Sequence, residues 1–158
     1  MNNPPEIIEL KRHLDTAFER IGNVDSDNQE LKSDLARYLC ILVSGCLEKA
    51  VAALLLKHAK QSGGPTLQRF VEIKTGRPMN LNVQRLQELL GSFDPDWSSE
   101  LESFLVDECK EAVNSVVRLR NRIAHGETIS VTYQQISGYH VKVQEVVNKI
   151  AELCCTQN

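Results

Sequence analysis

Arg120, Asn121 and His125 fall in one short string, Arg120-Asn121-Arg122-Ile123-Ala124-His125-Gly126, at the end of an otherwise apolar helical stretch. These side-chain types suit phosphate chemistry: a guanidinium holds the anion, an amide orients it, and an imidazole moves a proton. Val113, Val116, Leu119 and Ile123 recur at helical spacing. At about 100° per residue Arg120 falls within the same apolar arc as Val113 and Val116. A guanidinium there requires a carboxylate, an interface or an anionic ligand, because a lone charge is expensive to bury. Asn121 and His125 share one flank of the helix, so the amide can hydrogen-bond or orient the imidazole. Arg120 and His125 are separated by about 140° in a regular helix. Both reach one phosphate only through the arginine's length, helix unwinding or a second subunit. Gly126 suits the left-handed position just past a helix, which leaves His125 at the helix's negative end, a place for a general acid.

The string resembles the Arg-x4-His signature of HEPN domains, many of which are metal-independent ribonucleases. The likeness extends along nearly the whole chain. Leu39-Cys40-Ile41-Leu42-Val43-Ser44-Gly45-Cys46-Leu47-Glu48 looks like the long second helix of the RiboL-PSP-HEPN branch. Glu127-Thr128-Ile129-Ser130-Val131-Thr132 and the helix from Tyr133 are similar to that branch's short linker and closing helix. The resemblance implies an all-α, HEPN-like helical bundle with a long central helix and short connecting helices. It implies a homodimer whose two motifs face one composite cleft. RNA is the implied substrate, with its own 2′-hydroxyl as nucleophile and no metal or other cofactor. His125 would transfer protons, Arg120 would bind the scissile phosphate, and Asn121 would position the phosphate or the imidazole. A toxin or phage-defence role, with an antitoxin or regulatory protein as partner, follows by family analogy. Members paired with nucleotidyltransferase antitoxins often carry a tyrosine two places after the histidine; here Glu127 stands there. The alternative is a non-catalytic HEPN-like dimerisation or RNA-binding module.

Composition bounds the remaining readings. A chain of 158 residues with 42% hydrophobic content fits one domain, 1–158, since a domain takes about 100–200 residues. No apolar run approaches the roughly 18 residues of a membrane span, and Met1-Asn2-Asn3-Pro4-Pro5 lacks a signal-peptide pattern. The expectation is a cytoplasmic protein without a membrane partner. Cys40, Cys46, Cys109, Cys154 and Cys155 are odd in number and lie mostly in apolar helical surroundings, so they read as reduced core residues. A net charge of −3 excludes a broad polyanion-binding coat, so any RNA site is local. Lys110, Arg118, Arg120 and Arg122 concentrate positive charge near the helix end. Arg118 and Arg122 face outward, and they suit RNA phosphates or ordinary ion pairs equally.

The elements that must position these residues follow from periodicity and breakers. Ile7 to Ile21 gives an amphipathic helix ended by Gly22. Asp25 or Asp27 can cap a second helix, apolar almost all round, that runs until Ser62-Gly63-Gly64-Pro65. On it, Ser44 with Gly45 would admit another backbone, and Glu48 is a candidate ion-pair partner for Arg120. Thr66–Lys74 and Asn82–Leu90 read as short helices, and Asp94-Pro95-Asp96 introduces another, with Trp97 as a packing anchor. Tyr133–Leu153 closes the domain, weakened locally by Gly138. His13 and His58 read as surface or boundary residues, while His140 could approach the site from the closing helix. No HExxH, Gly-rich nucleotide loop or GxSxG competes with this reading.

Overall fold

Prolines and asparagines start most of the helices that the sequence forms. The computed structural model describes residues 3–155, and among them it has seven helices and no strand. Pro5 opens α1 (Pro5–Gly22), where a missing N–H costs nothing. The long helix α2 (Gln29–Ser62) is capped by Asn28, whose side chain accepts from the Leu31 N–H at 3.1 Å; neither Asp25 nor Asp27 takes that place. Pro65 opens α3 (Pro65–Thr75). Asn82 caps α4 (Val83–Gly91), and Asp94 caps α5 (Pro95–Phe104). The two longer helices that complete the chain are α6 (Asp107–Ala124) and α7 (Tyr133–Cys155), the latter continuous through Gly138.

Helix α2 is the axis of the bundle, packed against α1, α3, α6 and α7. Leu39, Val43, Leu47, Val51, Leu54 and Leu55 on it have no exposed surface, which is why its hydrophobicity runs almost all round. An 18-residue window of α2 has a mean hydropathy of 2.1, so length and composition alone would let it cross a membrane. That departs from the expectation drawn from uninterrupted apolar runs, because Ser44, Glu48 and Lys49 break the run without lowering the average far. In the fold, 56% of that window is buried, the environment of a core helix.

Cys40 Sγ lies 3.9 Å from the carbonyl of Val116, and Arg37 Nη1 donates to the carbonyl of Ile129 at 2.8 Å. Helices α2 and α6 are therefore antiparallel, with the end of α6 beside the start of α2. Val113 and Val116 are fully buried on this contact. Gly45 permits no close approach here, since a Cβ built on it would meet nothing within 4 Å. Trp97 is buried and stacks on Phe93, and His58 meets its ring edge-on. His58 also lies within hydrogen-bonding distance of the Cys154 carbonyl, at 3.3 Å, so it is a structural group.

All five cysteines are free thiols. Burial pushes the Cys40 thiol up to about 11 and the Cys154 thiol up to about 12. Neither is a reactive thiolate at neutral pH.

His140 lies on α7 but faces α1. It stacks on Phe18 at 4.5 Å and places Nε2 3.5 Å from Asp15, while its Nδ1 is buried without a partner. The expectation that it approaches the arginine-histidine motif is not met, because α1 engages it instead.

Candidate nucleic-acid interface

The end of α6 is built by a helix stop. Gly126 adopts φ +77°, its N–H donates to Ile123, and the Glu127 N–H donates to Arg122, both at 3.0 Å. This is the Schellman arrangement, and it needs a residue that tolerates the left-handed region. It leaves His125 exposed at the C-cap, its backbone held by a 3.0 Å bond to the Asn121 carbonyl and its imidazole without a hydrogen bond among the described residues.

One open groove of about 640 Å³ runs along this end of α6. Lys110, Asn114, Arg118, Asn121, Arg122 and His125 line it from α6, at helical spacing along one face. The opposite wall comes from the start of α4, through Asn82, Gln84 and Gln87, with Val83 and Val117 at the base. Among the described residues three cations and no carboxylate line the groove, in a chain whose net charge is −3.

The sequence-predicted residues are distributed unevenly over this site. Asn121 and His125 share the groove, as their spacing requires, but the Asn121 oxygen accepts from Arg120 Nη1 at 3.2 Å and not from the imidazole. Arg118 lines the groove without an ion pair among the described residues. Arg122 is engaged: its Nε donates to Glu127 at 2.6 Å, the pairing that the helix stop makes by folding Glu127 back. Both outer arginines are exposed.

Arg120 does not line the groove. It lies one turn beyond Val116 on the strip that faces α2, half-buried, with Asn121 as its hydrogen-bond partner and no carboxylate in ion-pair range among the described residues. Glu48 is not its partner. The Glu48 carboxylate accepts from the backbone N–H groups of Asn80, at 2.7 Å, and Met79, at 3.2 Å. Those bonds fix the turn before α4, where Asn80 adopts φ 50°. The correction has a simple cause: a carboxylate can be satisfied by backbone donors, and these leave no complementary side chain to find in a sequence.

Sequence reasoning missed the α4 wall. Asn82, Gln84, Gln87 and Asn114 stood unremarked because amides carry no charge, although Asn80-Leu81-Asn82-Val83-Gln84 is a visibly amide-rich run. The wall is attached to α6 by Asn114, whose Oδ1 accepts from the Val83 N–H at 3.0 Å. Among the described residues no cluster of three His, Cys, Asp or Glu side chains could hold a metal ion.

Compared with known proteins, the chain matches the family model described as RiboL-PSP-HEPN over residues 6–156. No curated protein and no solved structure matches it.

Proposed function

The chain belongs to the RiboL-PSP-HEPN family, and from that membership together with the groove on α6 we propose that it is a metal-independent endoribonuclease. The observation that carries this reading is the groove itself: among the described residues it has three cations and no carboxylate, with an unpartnered imidazole at its end. RNA supplies the nucleophile. The 2′-oxygen forms a bond to phosphorus, the bond from phosphorus to the 5′-oxygen breaks, and the products carry a 2′,3′-cyclic phosphate and a 5′-hydroxyl. His125 moves the proton, Asn121 positions the phosphate, and Arg120 stabilises the charge that develops on the phosphorane.

Arg120 and His125 point to different sides of α6 within one chain, so their cooperation calls for a homodimer in which Arg120 from one subunit meets His125 from the other. The absence of a carboxylate beside half-buried Arg120 among the described residues supports this assembly. A toxin or defence role, with an antitoxin or other regulatory partner, extends the same reading by family analogy. Glu127, engaged with Arg122, stands where a modifiable tyrosine would, so this position offers no tyrosine for control by modification. A second reading, an RNA-binding module without turnover, draws on the separation of Arg120 from the groove.

Incubating purified protein with total RNA in a chelator decides between them. Wild type should release cyclic-phosphate and 5′-hydroxyl ends, and His125→Ala should lower the rate by roughly 10²- to 10⁴-fold, the usual contribution of an acid-base group. Equal cleavage by the two preparations removes His125 from the chemistry, and an absolute need for added divalent metal removes the mechanism.

A further inference from the structure

We propose that the groove is divided by function: its α6 wall holds the phosphates of single-stranded RNA, and its α4 wall reads the bases. The identity of the ligand rests on the ribonuclease reading above; the division rests on the chemistry of the two walls. Lys110 and Arg118, on α6, have no ion-pair partner among the described residues, so their charge is open to an anion. Phosphate contacts of this kind hold a strand without discriminating among sequences.

The amides opposite are already oriented. Asn82 Oδ1 accepts from the Arg85 N–H at 2.9 Å, and where the two walls join, Asn114 Oδ1 on α6 accepts from the Val83 N–H at 3.0 Å. Each engaged oxygen fixes which way its amide lies and leaves the NH2 group as a preset donor. Gln84 is held in the opposite sense: its Nε2 donates to Glu88 at 3.0 Å, which leaves its carbonyl as an acceptor. Gln87, half-buried in the same wall, has no hydrogen bond among the described residues and can present both halves of its amide. Fixed donors and a fixed acceptor give single hydrogen bonds to base edges, and the free Gln87 amide can pair with one in a two-pronged way.

An RNA duplex suits this wall poorly. Its major-groove base edges lie in a deep, narrow groove that side chains do not enter and its shallow minor groove is recognised mostly by shape, whereas a single strand splays its bases out.

Fluorescence anisotropy on the full chain tests the division, with His125→Ala as the background so that the RNA stays intact. The probes are labelled single-stranded oligomers of A, C and U and a duplex of the same length. The single strands should bind more tightly than the duplex. Lys110→Ala and Arg118→Ala should weaken every oligomer by a similar factor, each lowering the salt slope by about one. Gln87→Met, which keeps the packing volume, should instead change the ratio of affinities among the oligomers by roughly fivefold or more. Unchanged ratios in a folded Gln87→Met chain, duplex binding as tight as single-strand binding, or no RNA binding at all would each overturn the proposal. Base-dependent binding by a wild type that never cleaves RNA would leave it standing and remove the ribonuclease reading alone.

Discussion

At the scale of single residues, Arg120 and Arg118 differ by what surrounds them. Arg120 is half-buried and touches Asn121, while Arg118 is exposed in an open groove. A lysine offers a point charge in place of a planar fork. Arg120→Lys should therefore impair turnover at saturating RNA, whereas Arg118→Ala should mainly weaken RNA binding in a salt-dependent way. Single-turnover kinetics on both variants makes the comparison, and normal cleavage by Arg120→Lys would refute the assignment. Gly126 offers a purely structural counterpart. Its φ of +77° disfavours any side chain even though a Cβ would meet nothing within 4 Å. Gly126→Ala should cost about 1–2 kcal/mol from the left-handed backbone alone, measurable by urea denaturation; a neutral result would mean that the helix stop relaxes freely. The helix stop at Gly126 was legible in the sequence because it depends on spacing along one helix. The partners of Glu48 and Arg122 were not, because backbone donors and a folded-back Glu127 depend on the path of the chain.

At the scale of elements, the helices were readable from their breakers and periodicity, down to the stop at Gly63-Gly64-Pro65. Which helix lies against which was not, since α4 meets α6 through Asn114 and Val83 alone in the hydrogen-bond pattern, a pairing of an amide with a backbone group. Glu48 has the greatest leverage on that arrangement, because it holds the turn that leads into α4. Removing a charged acceptor from two backbone N–H groups typically costs about 1.5–3 kcal/mol per bond. Glu48→Ala should lose stability on that scale and also disturb RNA binding through α4, while Glu48→Gln, which keeps an oxygen, should lose less. Equal stability of Glu48→Ala and wild type in thermal unfolding would show that the turn holds itself.

The α1 and α7 contact gives a pH dependence. Burial lowers the proton affinity of His140, against the opposing pull of Asp15, with Lys11 lowering it slightly further. The unfolded chain then binds the proton more readily than the folded one. Stability contributed by this site is present above the ordinary imidazole value of about 6.5 and falls as pH drops below it. His140→Gln should flatten the wild-type decline in melting temperature between neutral pH and pH 5; parallel profiles would place the pH dependence elsewhere.

At the scale of the whole molecule, the proposed meeting of Arg120 with His125 of a second copy requires a dimer. Light scattering should therefore report a dimer; a wild type that cleaves RNA as a strict monomer would remove the composite site. The burial of α2 also has a consequence for how the chain is made. The ribosome completes this very apolar helix long before it delivers α6 and α7, which cover much of it. Until then the nascent chain offers a segment that hydrophobic-binding chaperones and lipid surfaces both recognise. Translation-arrested chains ending before Asp107 should capture such chaperones, and chains released with α7 in place should let them go.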